Sequence, residues 1–181
     1  MAPELPKHTD FENIFASARR LISSGYDLAF CILDIDSIKY NNQLQKFKNI
    51  CKKLPKSIIP ITSNPCIEFW FFLHFMDYTS DKGYSSCQEV VRALEKYIKN
   101  YEKTKEFLSK EKVFKMMEED GKLARALKHA SKLLEKLKQK PENCSYTEIS
   151  CLISQLELCR ECGFEEDCVG CSRNTLSVLF R

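Results

Sequence analysis

The first apolar pattern of the chain has the spacing of a helix. Apolar side chains recur at helical intervals across residues 11–22, so one side of a helix there would be apolar. Thr9 or Asp10 can accept hydrogen bonds from the first free backbone N–H groups, and Gly25 is a natural stop. The pattern therefore predicts that a helix opens the fold.

The next segments have the pattern of strand, helix and strand. Residues 28–33 form a continuous apolar run that ends at Asp34, which is typical of a strand buried on both faces. Residues 44–54 return to helical spacing. A short strand follows at 57–62, and Pro60 within it favours a sheet edge or a bulge. This succession predicts a parallel pair of strands.

The pattern changes after the second strand. Residues 67–76 are apolar on almost every face, which predicts a short buried helix. From residue 85 onward the chain is helical and charged, with few strand signals. A narrow apolar stripe there requires a partner helix, in this chain or in a second copy. Its members are Leu123, Leu127, Ala130, Leu134 and Leu137. Pro141 ends that helix, and residues 145–148 can cap another.

Composition narrows the class of protein. Of 181 residues 44% are hydrophobic and 29% charged, as in a soluble globular protein. The net charge is only +3, so any preference for polyanions must come from a local patch. No charged segment followed by a short apolar run opens the chain, and the longest apolar stretch is about half of a bilayer span. We expect a cytoplasmic protein without a membrane segment.

The ten cysteines are unevenly distributed. Together with the missing leader, this distribution predicts reduced thiols and a metal site rather than a disulfide scaffold. Two Cys-x-x-Cys pairs, Cys159 with Cys162 and Cys168 with Cys171, suit tetrahedral Zn²⁺ in a structural role. Because the gap between the two pairs is short, an iron–sulfur cluster is an alternative to zinc at this site. The other six are interpreted as buried small hydrophobic residues: Cys31, Cys51, Cys66, Cys87, Cys144 and Cys151.

Three carboxylates are candidates for one metal site. Asp34 and Asp36 lie at the carboxyl end of the first strand, where open parallel sheets place their functional crevice. If the backbone is extended there, both side chains point the same way and can share one Mg²⁺ or Mn²⁺. Glu68 follows the next strand, and neighbouring strand ends stand about 5 Å apart. We therefore expect the three carboxylates to converge.

Structural explanations compete with this interpretation. Asp-x-Asp after a strand is also a common turn or helix-cap sequence. Glu68 lies among apolar residues, where a buried carboxylate requires a cation, a donor or water. The amino terminus of its own helix could stabilise it instead. His74 is more often a packed core imidazole than a base.

The acidic residues and the aromatic block resemble a known family. Asp34-Ile-Asp36 after an apolar strand, followed by SNPCIEFWFFLHF at residues 63–75, is similar to the central signature of RloB-like proteins. The resemblance extends over about residues 10–158. It implies a Toprim-like domain associated with restriction loci and phage defence. Asp34 and Asp36 would then be metal ligands, and Glu68 a ligand or the group that orients attacking water. Asn64 and His74 would shape the site.

One part of the family pattern has no counterpart here. Toprim-like domains begin with a strand and turn that deliver a glutamate, whereas this chain opens at what would be the next helix. Glu4 lies in the right region, but its flanking prolines do not suit a buried strand. Three explanations are open. Glu68 is sufficient as the glutamate ligand, or another segment or a partner supplies the remaining ligand, or the site is catalytically degenerate.

Basic residues follow one side of the helix that carries the apolar stripe. They are Lys122, Arg125, Lys128, Lys132 and Lys136. A solvated face explains them, and contact with nucleic-acid phosphates is the functional alternative.

Together these features predict an α/β fold: a Toprim/Rossmann-like parallel sheet core truncated at its amino end, a mostly helical half and a small metal knuckle of four cysteines. The corresponding regions are 1–84, 85–158 and 159–181. The predicted function is a metal-dependent nuclease component of an anti-phage system, hydrolysing phosphodiester bonds of DNA or RNA. The alternative is a catalytically degenerate regulator or sensor that binds nucleic acid, a nucleotide or a partner defence protein. With either function, the protein could form a homo-oligomer.

Overall fold

A computed structural model describes residues 9–76, 83–110, 113–139 and 144–161 of the chain. The elements, in chain order, are α1 (Phe11–Ser23), β1 (Ala29–Asp34), α2 (Ile35–Tyr40), α3 (Leu44–Cys51), β2 (Ile58–Asn64), α4 (Glu68–Phe72), α5 (Cys87–Leu94), α6 (Lys105–Lys110), α7 (Val113–Glu118), α8 (Lys122–Gln139), β3 (Tyr146–Thr147) and α9 (Ile149–Glu161). The fold is mixed α/β and mainly helical. The division at residues 84 and 158 stays a prediction.

The opening helix forms as its sequence predicts. Asp10 caps α1, because its carboxylate accepts a hydrogen bond from the backbone N–H of Asn13. Gly25 follows the helix with φ of 99°, a conformation that glycine adopts without a Cβ clash. The first helix and both of its end signals are thereby confirmed.

The sheet has three strands in the order β1-β2-β3. β1 and β2 are parallel, as predicted, and their register pairs Asp34 with Ser63. β3 is antiparallel to β2 and pairs only with Ser63 and Asn64. The described sheet is therefore mixed, and the all-parallel expectation is wrong for β3. Pro60 lies in the middle strand, but β3 does not reach it, so its missing N–H costs no bond to that strand.

Helices pack against both faces of the sheet but leave part of β1 exposed. Ala29, Cys31 and Leu33 of β1 pack with α1, α2 and α3, around the stacked rings of Phe15 and Phe47. Alternate positions of β2, including Ile59 and Ile61, face the core that α4, α5, α7 and α8 complete. β1 is not buried on both faces as predicted, because Ile32 is 46% exposed.

The apolar stripe of α8 packs within the chain. Of its predicted members, Ala130 is fully buried and Leu123 and Leu127 are partly buried, and Ala126 and Leu133, which the prediction did not include, are buried as well. These residues join α8 to the same core as α4 and α5. The structure thus supplies the required partner surface inside the chain. Among the described residues, no helix combines the length and apolarity needed to cross a membrane.

The cysteines depart from the prediction. Cys66 and Cys87 form a disulfide, so interpreting these two as reduced hydrophobic residues is wrong. The sequence lacked the signal because the two lie 21 positions apart, and only the packing of α4 against α5 brings them together. Cys31 and Cys51 are buried free thiols, and Cys144 and Cys151 are half-buried. Of the predicted four-cysteine site, Cys162, Cys168 and Cys171 and the side chain of Cys159 lie outside the described residues.

Candidate functional site

Asp34 lies where β1 meets the loop that follows β2. Its Oδ1 accepts a hydrogen bond from the backbone N–H of Ile67 at 2.9 Å. Close by, the backbone N–H of Asp36 donates to the carbonyl oxygen of Pro65 at 3.0 Å. The Asn64–Pro65 peptide bond is cis in this loop. These bonds leave Oδ2 of Asp34 available to other groups.

Glu68 is the first residue of α4, and its side chain is fully buried. The ammonium of Lys103 lies 3.1 Å from Oε1 of Glu68 and 3.1 Å from Oδ2 of Asp34. The hydroxyl of Tyr101 donates to the same Oε1 at 3.2 Å. The predicted convergence of Asp34 and Glu68 therefore occurs, with one positive charge between the two carboxylates.

Protonation at this centre follows from its charges. Burial lowers the pKa of Lys103, but the nearby carboxylates of Asp34 and Glu68 outweigh burial and leave that pKa raised. Burial also raises the pKa of Tyr101, and the charge of Glu68 adds to the effect. Lys103 is thus a cation and Tyr101 a neutral donor at neutral pH.

Asp36 takes a different position from the one predicted. β1 ends at Asp34, and Asp36 lies in the first turn of α2, so the expectation of an extended backbone is wrong. Its Oδ1 accepts from the backbone N–H of Ser37 at 2.6 Å. No hydrogen bond or ion pair within the described residues joins Asp36 to Asp34 or Glu68. The charge of Asp36 instead acts on Lys39.

Asn64 connects three parts of the chain beside this centre. Its Oδ1 accepts from the ammonium of Lys39 at 3.0 Å, and its Nδ2 donates to the carbonyl of Cys144 at 2.7 Å. Burial lowers the pKa of Lys39, while Asp36 acts in the opposite direction. Asn64 therefore holds α2 and the segment before β3 against the end of β2, which fits a role in shaping the site.

His74 lies in the core. The ring is 2% exposed, packs edge-on against Trp70 and has Nδ1 2.9 Å from the carbonyl of Trp70. Because a carbonyl only accepts, Nδ1 carries a proton. Burial lowers the pKa of His74, which favours the neutral ring. These contacts fit the packed-imidazole interpretation and leave the imidazole turned to Trp70.

A second buried carboxylate, Glu148, was not among the predicted site residues. Its Oε2 accepts from both the backbone N–H and the hydroxyl of Thr62, at 2.8 and 2.6 Å. Its own N–H donates to the carbonyl of Thr62 at 2.9 Å, so Glu148 continues the pairing of β3 with β2. Burial raises the pKa of Glu148 to about 7 against the hydrogen bonds from Thr62. The sequence suggested only a helix cap at this position.

Basic side chains lie along the outside of α8. Arg125, Lys128, Lys132 and Lys136 are exposed. Lys122 is only 22% exposed and stands 5.7 Å from the centre of the Phe75 ring. The described face therefore has four exposed cations, and Lys122 also packs against an aromatic ring.

The donor set suits a hard divalent cation. Mg²⁺ takes oxygen ligands at about 2.1 Å and keeps several waters, so two carboxylates provide a sufficient protein contribution. Lys103 stands in for such a cation, since Asp34 and Glu68 already converge on its charge. Sequence reasoning missed Lys103 and Tyr101 because nothing distinguishes them within a stretch rich in glutamate and lysine.

Comparison with models of known protein families gives a match. A family model described as RloB-like protein matches residues 3–156. No curated protein and no solved structure matches the chain. The matched region includes Asp34, Asp36, Glu68 and Lys103, and the resemblance drawn from the aromatic block is confirmed.

Proposed function

We propose that this chain, which belongs to the RloB-like family, is a divalent-metal-dependent nuclease component that hydrolyses phosphodiester bonds in DNA or RNA. The observation that carries the proposal is the convergence of Asp34 and Glu68 on one positive charge at the carboxyl end of β1. That end of a parallel pair is where α/β sheets place their reactive groups. A Toprim-like arrangement, a cytoplasmic location and a role in anti-phage defence form part of the same proposal.

The residues would act as follows. Asp34 and Glu68 would hold Mg²⁺ or Mn²⁺, and the negative charge of Asp36 would add to the attraction for the cation. When bound, the cation polarises a phosphoryl oxygen and lowers the pKa of a bound water. Lys103 has a flexible stem with 56% of its side chain exposed, so its ammonium can leave the carboxylates and contact a phosphate oxygen. Tyr101 keeps Glu68 oriented by its hydrogen bond.

A cleavage assay tests the proposal. The purified chain is incubated with labelled DNA and RNA in Mg²⁺ or Mn²⁺, and we expect metal-dependent cleavage of at least one polymer. Asp34→Asn keeps an oxygen for the Ile67 N–H but loses the charge, so cleavage should fall by about 100-fold or more. Asp36→Ala should also lower the rate of cleavage. Asp27→Asn, at an exposed site before β1, is the matched control. No cleavage of either polymer, or equal cleavage by Asp34→Asn, would defeat the enzyme proposal.

A second function is favoured by Lys103 itself. Its ammonium already offsets one of the two negative charges of the acidic pair without a metal, which suits a regulator or sensor that binds nucleic acid, a nucleotide or a partner defence protein and catalyses nothing. Binding without cleavage in the same assay would support this alternative.

The exposed basic face of α8 is the proposed phosphate contact. The double change Lys128→Glu with Lys132→Glu should weaken binding of duplex DNA and lower the slope of log affinity against log salt by about 2. Lys96→Glu with Lys99→Glu makes the same charge change at exposed positions that are not part of α8. Fluorescence anisotropy across a KCl series measures the affinity and the salt slope of each double variant. An unchanged salt slope in the α8 variant would mean that this face is only solvated.

For the carboxyl-terminal cysteines we keep the sequence-based proposal of a structural Zn²⁺ held by Cys159, Cys162, Cys168 and Cys171.

A further inference from the structure

We propose that Cys66, Cys87 and Glu68 form a Zn²⁺ site when the two cysteines are reduced, next to the acidic pair and sharing Glu68 with it. The proposal stands on the geometry of these residues and does not depend on nuclease activity. A sulfur from each cysteine and a carboxylate oxygen of Glu68 all lie within 4.8 Å of one another. They come from three places: the loop after β2, the start of α4 and the start of α5.

The spacing of these atoms suits tetrahedral coordination. Zn–S bonds of about 2.3 Å and Zn–O bonds of about 2.1 Å place adjacent sulfur and oxygen ligands about 3.6 Å apart. Sγ of Cys87 lies 3.4 Å from Oε2 of Glu68. Oε2 also accepts from the ammonium of Lys103 at 3.2 Å, whereas Oε1, the other oxygen, accepts from Tyr101. Oε2 of Glu68 therefore lies next to the sulfur atoms. The two sulfurs and this oxygen would provide three ligands, and a water would complete the tetrahedral set of four.

Charge and hardness favour zinc at the sulfur side. Two thiolates and the carboxylates of Glu68 and Asp34 carry four negative charges, and the ammonium of Lys103 offsets only one of them, so the reduced site attracts a divalent cation. Thiolates select borderline or soft ions such as Zn²⁺ over Mg²⁺. Cys66 is fully buried while Cys87 is half-buried, so an ion has a route from solvent past Cys87.

The disulfide is the alternative state of the same residues. Two molecules of a thiol reductant convert it to two cysteine thiols and become one oxidised disulfide themselves. Binding of Zn²⁺ then forms two Zn–S bonds and releases the two thiol protons to solvent. Oxidation and zinc binding at this position therefore exclude each other.

Protection of Cys87 from alkylation tests the site in the unaltered chain. The reduced, chelator-treated protein reacts with iodoacetamide with and without added Zn²⁺, and peptide mass spectrometry follows each cysteine. We expect Zn²⁺ to slow alkylation of Cys87 at least tenfold. Cys151, also half-buried, should react at an unchanged rate and serves as internal control. Equal rates at Cys87 with and without Zn²⁺ would overturn the proposal.

Zinc stoichiometry separates this site from the carboxyl-terminal cysteines. In a Cys162→Ser, Cys168→Ser background, the reduced chain should bind one Zn²⁺, and the same chain with its disulfide intact none. Cys87→Ser should abolish this binding, and Glu68→Gln, which keeps both sulfurs, should weaken it about tenfold or more. Cys151→Ser is the matched control and should still bind one. Equal stoichiometry in reduced and oxidised protein would count against the site, whatever the cleavage assay gives.

Discussion

Replacing Lys103 with methionine should lower the stability of the metal-free protein and raise its affinity for Mg²⁺. Lys103 is the positive charge on which Asp34 and fully buried Glu68 converge. Breaking a buried ion pair costs about 3–5 kcal/mol, but water reaches Lys103, whose side chain is 56% exposed. We therefore expect the free energy of unfolding to fall by about 2 kcal/mol without metal.

The effect of Lys103→Met on metal binding has the opposite sign. Without the ammonium, Mg²⁺ has no competing cation at the two carboxylates, and its affinity should rise about tenfold. Saturating Mg²⁺ should then restore much of the lost stability, since a ligand at about 100 times its dissociation constant adds about 3 kcal/mol.

Chemical denaturation with and without Mg²⁺ measures both effects of this substitution. Trp70, the single tryptophan, lies in the core and reports unfolding by its fluorescence. Lys105→Met removes an exposed charge nearby and should change neither quantity. If Lys103→Met loses stability and Mg²⁺ restores none of it, the acidic pair does not hold a metal.

Glu148 should make the protein less stable as pH rises from 4.5 to 7. Burial raises the pKa of Glu148 from 4.5 to about 7 in the folded chain, so folding favours its protonated form. This contribution is fully present below pH 4.5, where the carboxyl is protonated in both states. It is lost as pH rises through 7, because the folded chain must then bury a charge. The loss amounts to about 3 kcal/mol.

Glu148→Gln separates this effect from all other titrations. Glutamine keeps an oxygen for the two hydrogen bonds from Thr62 but does not ionise. Urea denaturation at pH 4.5, 6 and 7.5 should therefore show a difference between variant and wild type that grows with pH in favour of the variant. Glu95→Gln, at an exposed position, is the control. A difference that stays constant over this range would mean that Glu148 titrates in the same way in both states.

Local patterns carried much of the prediction. The helical spacing of residues 11–22, with Asp10 before it, was sufficient for α1, because a cap and an apolar face are read from neighbouring residues. The strand, helix and strand pattern gave the parallel pair, and its register placed Asp34 beside the strand that leads to Glu68. The three-residue Asp-x-Asp segment gave a wrong prediction for Asp36, because only its local spacing was used. Its spacing does not reveal that α2 begins directly after Asp34.

The partners of the buried carboxylates could not be read in this way. Lys103 lies 69 positions from Asp34, and Thr62 lies 86 positions from Glu148. A lysine in a charged stretch looks the same whether it faces water or a buried acid, so no spacing rule selects Lys103. The pairing of Cys66 with Cys87 is similar, since it depends on the packing of α4 against α5.

The sequence by itself determined the family, the first helix, the parallel pair of strands and the meeting of Asp34 with Glu68, because each follows from periodicity or from a contiguous motif. Only the tertiary structure decided which groups neutralise those carboxylates, where Asp36 points and that two cysteines meet beside Glu68. The physical reason is that burial and charge pairing depend on side chains brought together from distant parts of the chain, whereas helices, strands and caps form from neighbours.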